Sequence, residues 1–556
     1  MNRLRYEESG VAMATVIILT FVMTALMVAI SAVTIQSVRG TAVNEDWHAA
    51  LGAANAGVDE YLSRLNEDND YWVYGDPSDP YSHDSSVELP TGSLANPFFT
   101  EWTPIPGSTP DAVDRPFARY ALDNSEYLST GALFLKATGR VGDVERSVET
   151  LLRRRSFLDY LYFTNYETLD PALYDGSPLS ASQAQALCST YWYTGRDSRC
   201  TEINFVGEDE IRGPLHTNDA MLMCVQWYNG GYGPYFEGET STSYNPSNPP
   251  RWRRNTGSGC NNSQFPTFAV EGDPRYLAPL GMPPSNTSIK QQVDPLYTST
   301  PGCLYTGPTK IRLNSNGTMT VLSPWTNRGY RPDCGGGSET TVNIPENGVI
   351  YVQDVPSNPS SDPAVNSNPS PRTGTNYIGY PMSNDITSYS RNSGDVFIQG
   401  TLDGRLTVAA ENDVVMIGDL RYDDGLGGDD LLGLVANNFV EVYHPVRSNG
   451  SDLTSGTNAP SWGSNGEPDL YAAMLSVNHS IYVQNHDRGS PRGDLNIYGV
   501  LAQQFRGVVG TFNSSGQATG YLKNYNYDTR LQYQSPPHFL DPVETGFEVA
   551  LWTEVD

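Results

Sequence analysis

The chain has 556 residues, with 34 Lys and Arg against 63 Asp and Glu and a formal net charge of −29 at pH 7. This length allows about three or four folding units, and the acidic surface argues against nucleic acid as a partner, because phosphate binding needs a basic face. With 52 Gly, 39 Pro and 34 Tyr but only 17% charged residues, the composition favours short strands and turns over helical bundles. We therefore predict a mainly β fold.

The N-terminal region departs from this composition. Residues 9–38 contain no charged side chain, and residues 11–30 are almost entirely apolar, which is long enough for a membrane-crossing helix. A secretory signal peptide is the alternative, but its apolar core usually covers only about 7 to 15 residues. Arg3 and Arg5 precede the apolar run and favour a cytoplasmic N-terminus. We predict one membrane span over residues 11–38, with an extracytoplasmic body in the cell envelope.

Residues 39–68 are predicted to extend this helix with an amphipathic half. Apolar side chains recur at offsets of three and four along one face, which is the helical period. The positions are Leu51, Ala54, Val58, Tyr61, Leu62 and Leu65. A helix with such a stripe outside the membrane must pack it on a soluble domain.

The N-terminal region resembles type IV pilins. A short leader, residues 1–10, ends in Glu8-Ser9-Gly10 before Val11 and the apolar helix, as in class III signals, and the Ala-Ala-Asn-Ala-Gly-Val run at 53–58 resembles a signature of PilX-like minor pilins. The resemblance implies prepilin peptidase as a partner, cleavage after Gly10, methylation of Val11, and association with other pilins or pilus assembly proteins. Thr15 stands where major pilins carry Glu, which implies a minor, initiating or tip-located subunit.

Residues 69–155 are predicted to form a small α+β pilin-like region. A polar, Pro-rich connector precedes three candidate strands, at residues 117–122, 132–138 and 144–152. Periodicity alone allows the third to be a helix. The pilin resemblance implies a helix packed on an antiparallel sheet, and so favours a strand.

The region 156–345 contains every cysteine of the chain. The six are Cys188, Cys200, Cys224, Cys260, Cys303 and Cys334. None forms the close CxxC pair that zinc sites usually show, so disulfides in an oxidising compartment are favoured over a metal centre. Six cysteines allow fifteen connectivities; we expect sequential pairing.

Short apolar strands separated by Gly, Asn and Asp run through residues 346–535. Their brevity favours a parallel β-solenoid over the alternative, a β-sandwich; residues 536–556 are predicted to be a C-terminal tail. Segments such as Glu210–Asn218 and Gln504–Phe512 resemble large uncharacterised exported proteins with pilin-like N-termini, over about residues 155–545. That resemblance implies an envelope or pilus-associated role and supplies no catalytic site.

The sequence offers weak candidates for chemistry. It contains no HExxH motif, nucleophile elbow or phosphate loop. An enzyme cleft that acts on acidic polysaccharide would need acid/base groups and cations close together. The acid/base candidates are His216, His479, Asp487 and Asp528, and the cationic candidates are Arg506, Lys523 and Arg530. The competing interpretation places the histidines in turns and pairs the cations with nearby carboxylates such as Asp528. We predict no catalytic residue, and keep a membrane-anchored solenoid enzyme as the alternative.

An acidic loop at residues 423–430 is the one candidate metal site. Its carboxylates, Asp423, Asp424, Asp429 and Asp430, could bind calcium but do not follow the spacing of a known calcium loop; a solvated loop is the alternative. No other cofactor is predicted. The sequence thus predicts a pilin-like structural or adhesion protein at the cell surface, with a surface or host ligand as a further partner.

Overall fold

The computed structural model describes residues 9–555 except 69, 107–114, 128–130, 155, 208, 226–232, 258–259, 261–264, 271, 370–377, 464, 514–515 and 544–545. Residues 1–8, most of the predicted leader, lie outside the described residues. The fold is mainly β, as predicted. The chain divides into two units, Met1–Arg153 with Gly546–Asp556, and Arg154–Thr545.

The first unit combines one long helix with a five-stranded sheet. Helix α1 covers Ser9–Glu67. The strands are β1 (Thr103–Pro104), β2 (Phe117–Asp123), β3 (Leu133–Val141), β4 (Val144–Arg154) and β30 (Phe547–Val555). They lie in the order β1-β2-β3-β4-β30, and the first four pair antiparallel. The strand predicted over residues 144–152 is confirmed. The predicted C-terminal tail instead contributes β30, which lies at the edge of the sheet. Apolar and polar residues alternate only weakly along this strand.

The second half of α1 packs its predicted stripe on this sheet. Ala54, Val58, Tyr61 and Leu65 are buried in one core cluster, and Leu51 and Leu62 pack partly buried against it. The Tyr61 ring lies 5.3 Å from that of Tyr120 on β2, between centroids. The amphipathic periodicity is thus confirmed, because the sheet supplies the apolar surface that the stripe requires.

The backbones of α1 and β3 come together at Gly139. A Cβ built on this glycine would overlap the backbone at Ala50 and Ala54. We expect Gly139→Val to destabilise the first unit by at least about 1–3 kcal/mol, because the added side chain must push the helix away. Gly52→Ala is the matched control. Gly52 lies on α1, and a Cβ added there meets open space, so the substitution should be neutral or should stabilise the first unit by up to about 1 kcal/mol. Urea unfolding of the full chain measures both, and equal midpoints would contradict the prediction.

The first half of α1 has an apolar, exposed surface. Side chains of this half are described for residues 15–31, and the large apolar ones all stand exposed, from Val16 (59%) to Ile30 (57%). Among the residues described here, no helix is both long enough and apolar enough to cross a membrane. The single membrane span over residues 11–38 stays a prediction.

The second unit is built from parallel ladders. The first ladder runs, in spatial order, through β15 (Cys303–Thr306), β19 (Val349–Gln353), β21 (Arg405–Ala410), β23 (Leu431–Ala436), β25 (Asp469–Ser476), β27 (Pro491–Arg506), β5 (Tyr162–Leu169), β8 (Leu215–Thr217), β11 (Thr240–Thr242) and β14 (Arg275–Tyr276). Each of these strands pairs parallel with the next. Apolar side chains from successive strands thereby form one continuous core.

Two further ladders share this core. One runs through β16 (Thr309–Asn314), β20 (Val396–Leu402), β22 (Val414–Tyr422), β24 (Val440–Val442) and β26 (Ile481–Val483). The other joins the ends of β20, β22, β25 and β27 to β29 (Gly516–Tyr527), β7 (Glu210–Arg212), β10 (Tyr235–Phe236) and β13 (Thr267–Phe268). All these pairings are parallel.

The remaining elements are short. A separate parallel sheet contains β6 (Asn204–Val206), β9 (Leu222–Cys224) and β12 (Arg253–Arg254). The strands β17 (Thr318–Leu322), β18 (Thr340–Asn343) and β28 (Gly510–Asn513) pair antiparallel in hairpins. Two short α-helices, α2 (Ala181–Cys188) and α3 (Thr287–Gln291), and several single-turn 3-10 helices lie between the strands of this unit.

The spatial order of the first ladder differs from the chain order. The first six strands of this ladder, β15 to β27, come from residues 303–506. The last of them, β27, pairs with β5 at the start of the unit. The chain from β5 to β14 continues the ladder beyond this point. The edge of β5 is therefore covered by a strand more than 300 residues later in the sequence. We call the contacts of β27 and β29 with residues 162–219 the junction.

Candidate functional site

A buried ion pair lies at the junction. The Arg506 guanidinium on β27 donates to Glu167 Oε2 at 2.8 Å and to the carbonyl oxygens of Ile203 and Asn204 at 3.0 Å each. Its Cζ atom lies 3.6 Å from the centroid of the Phe205 ring. Both charged side chains are fully buried (0% and 1% exposed). Burial raises the pKa of Glu167 even though the charge of Arg506 opposes this.

A second buried pair lies beside it. Lys523 Nζ on β29 donates to Asp209 Oδ2 at 2.8 Å, and the same oxygen accepts from the backbone amide of Val206. Burial lowers the pKa of Lys523. Of the three candidate cations, Arg506 and Lys523 are thus ion-paired as the competing interpretation predicts, but with Glu167 and Asp209 rather than with Asp528. The expectation of a sequence-local partner is wrong for both, because the junction brings distant strands together.

The two candidate histidines also have structural partners. His479 Nδ1 lies 3.0 Å from Asp170 Oδ1, a carboxylate that also accepts from the Ser480 hydroxyl. His216 is fully buried, and its two ring nitrogens lie 2.9 Å from Ser241 Oγ and 3.1 Å from Asn218 Oδ1. Each imidazole is held in its own hydrogen-bonding environment.

The last three candidates lie apart from these pairs. Asp528 accepts from the guanidinium of Arg530, at 2.7 Å from Nη2 to Oδ2, and caps the backbone amide of the same residue. Asp487 is largely exposed, with Arg488 Nε 4.0 Å from its Oδ1. Six of the seven residues thus have structural hydrogen-bond partners, Arg530 and Asp528 being partners of each other. The enzyme alternative stays a prediction.

The six cysteines form three disulfides. They join Cys188 to Cys200, Cys224 to Cys260, and Cys303 to Cys334, in the sequential order expected. No described cysteine is free. The closed loops suit an oxidising compartment.

The acidic loop does not gather its carboxylates. Asp430 is buried and accepts from the backbone amides of Gly404 (2.6 Å) and Asp424 (3.2 Å), whereas Asp423, Asp424 and Asp429 are exposed. Across the described ranges, no group of three or more His, Cys, Asp or Glu side chains is placed to hold a metal ion. Calcium binding at this loop stays a prediction that the geometry does not favour.

Asp395, Asp413 and Glu441 form a buried acidic cluster that was not predicted from the sequence. Asp395 and Asp413 directly precede the paired residues Val396 and Val414, and the Asn412 amide donates to both carboxylates. Glu441 on β24 accepts from Tyr482, Tyr389 and Gln484 at 2.9–3.3 Å. Only the recurrence of Asp just before short apolar strands could have indicated such stacking.

The first half of α1 presents an exposed apolar surface over residues 16–30. Its large side chains are Val16, Ile17, Ile18, Leu19, Phe21, Val22, Met23, Leu26, Met27, Val28 and Ile30. Apolar surface of this extent normally marks a protein or membrane contact. Gly10 and Val11, the predicted processing residues, lie in the first turn of the same helix, and nothing in the geometry tests their cleavage.

Comparisons with known proteins add little to this geometry. No protein-family model matches the chain, and no curated protein does. The solved structure of the competence-associated pilin ComZ from Thermus thermophilus aligns with 92% of this chain and 97% of its own length, at 12% sequence identity and a TM-score of 0.22. A likeness at that level carries no argument about this chain.

Proposed function

We propose that this protein is a pilin-like structural or adhesion subunit of the cell envelope. One observation carries the proposal: α1 packs its second half on an antiparallel sheet, while its first half exposes a continuous apolar surface. A helix with these two halves suits assembly, because the sheet holds it in the subunit and the bare half remains available to the helices of other subunits.

The processing steps of the proposal come from the sequence. Prepilin peptidase cuts after Gly10, Val11 becomes the methylated N-terminus, and the apolar segment holds the subunit in the membrane until other pilins or assembly proteins take it up. Thr15 in place of the usual Glu makes it a minor or tip-located subunit. In this proposal the large unit is a parallel β-solenoid that contacts the surroundings; the parallel ladders support that shape.

Export of the body is supported by two independent features. Three disulfides cross-link the chain within residues 188–334, which fits an oxidising compartment. The net charge of −29 over the whole chain favours solubility. The disulfides lie in the large unit, so they support export without reference to α1.

Mass spectrometry of the protein purified from its native envelope tests the proposed processing. We expect a mature N-terminus at methylated Val11. Gly10→Leu should leave the leader attached, because the peptidase of this family cuts after glycine, whereas Gly40→Leu, on the same helix, should be processed normally. A wild-type chain starting at Met1, or beyond residue 30, would overturn the proposal.

A further inference from the structure

A shallow aromatic groove lies at the β14 end of the first ladder. Its volume is about 500 Å³, and its walls include Tyr191, Trp192, Tyr193, Tyr244 and Tyr276. Three of the tyrosines present much of their surface to solvent: Tyr191 is 39%, Tyr193 54% and Tyr276 45% exposed. So many exposed rings around one concavity are typical of a binding site rather than of a protein core.

The loop that carries three of these rings is held rigidly. The Cys188–Cys200 disulfide closes residues 189–199. Arg196 in that loop is buried, and it donates to Asp219 Oδ2 at 3.3 Å. Tyr191 donates to Asn165 Oδ1 at 2.9 Å. Pre-positioned rings lose little conformational entropy when a ligand binds.

The charges beneath the groove compensate one another. Arg196 pairs with Asp219 and Glu202, and Arg253 pairs with Glu202. The Arg253 guanidinium also lies over the Trp192 ring, 4.0 Å from its centroid. Two cations thus match two carboxylates, and no net charge is left for an ionic ligand.

The groove is also lined by the Asp219 carboxylate, which is paired with Arg196, and by hydroxyls and amides. The hydroxyls and amides include those of Thr194, Asn218, Ser243, Asn245 and Ser247, and such groups both donate and accept hydrogen bonds. The Ser243 hydroxyl is buried and has no hydrogen-bond partner among the described residues. Aromatic faces beside groups of this kind match a ligand with apolar C–H faces and many hydroxyls.

We propose that this groove binds an uncharged saccharide. Ring faces stack on its C–H surfaces, and its hydroxyls, which also donate and accept, pair with the hydroxyls and amides of the wall. A proline-rich peptide could stack on the same rings, but it offers mainly acceptors. The strongly acidic chain, at −29, would repel acidic polysaccharide. The inference rests on the proposed surface role and gives it a ligand class.

Binding of the purified full chain to an array of neutral and acidic glycans, with a proline-rich peptide and choline included, tests the inference. We expect binding to neutral glycans only, weakened about tenfold by Tyr193→Ala or Tyr276→Ala, since each removes one stacking ring. Tyr297→Ala is the matched control, because Tyr297 is 68% exposed outside the groove, and it should bind as wild type.

Three outcomes would overturn the inference: no binding to neutral glycans, preference for an acidic glycan, the peptide or choline, or equal binding by all three variants. None of these results bears on the N-terminus, so failure here is distinguishable from failure of the proposed processing. Conversely, neutral-glycan binding by a chain that keeps its leader would support the groove and count against the pilin-like role.

Discussion

Replacing Arg506 with alanine is expected to destabilise the second unit by about 3–5 kcal/mol, because it leaves the buried Glu167 carboxylate without its cation. The pair lies at the junction, where β27 covers the edge of β5. The substitution also removes the guanidinium from the carbonyls of Ile203 and Asn204. Denaturant unfolding of the full chain, followed by circular dichroism, measures the loss.

Two further variants separate the buried charge from the loss of side-chain volume. Arg212→Ala is the matched control: its guanidinium pairs with Glu210 on the surface, so we expect a loss below about 1 kcal/mol. Combining Arg506→Met with Glu167→Met removes both charges and should recover much of the stability lost by Arg506→Ala. If Arg506→Ala proved as mild as Arg212→Ala, the junction pair would not hold the unit together.

The local elements could largely be predicted from the sequence. The stripe from Leu51 to Leu65 and the short apolar strands between 349 and 498 follow from periodicity, because each pattern reflects burial by neighbours on one face. The strand β4 needed the pilin resemblance, since its periodicity also allows a helix. The strand β30 was not predicted because Phe547 is the one fully buried residue in it, so its sequence carries little alternation.

The partners of Arg506 and Lys523 could not be predicted. Lys523 and Arg506 pair with carboxylates more than 300 positions earlier, because the ladder places the end of the unit beside its beginning. A sequence reveals that a charge needs a partner, but only the stacking order supplies it. The groove was missed for the same reason: Tyr191, Tyr244 and Tyr276 belong to separate turns of the chain.

The buried acidic cluster makes stability depend on pH. Burial, together with the charge of Asp413, raises the pKa of Asp395 to about 8. Burial also raises the pKa of Asp413 and that of Glu441, each to about 7. In the unfolded chain these carboxyls titrate near pH 4. Between about pH 4 and pH 8 the folded protein therefore holds more protons than the unfolded chain.

The contribution of these protonated carboxyls to the free energy of unfolding is therefore fully present below about pH 4 and is lost as the pH rises towards 8. We expect the free energy of unfolding of Asp395→Asn to fall less steeply than that of wild type between pH 5 and pH 8, by up to about 1.4 kcal/mol per pH unit, since asparagine has no proton to release. Asp487→Asn, at an exposed carboxyl, should keep the wild-type slope. Urea unfolding at each pH gives the three slopes, and parallel curves for Asp395→Asn and wild type would show that the cluster does not hold its protons on folding.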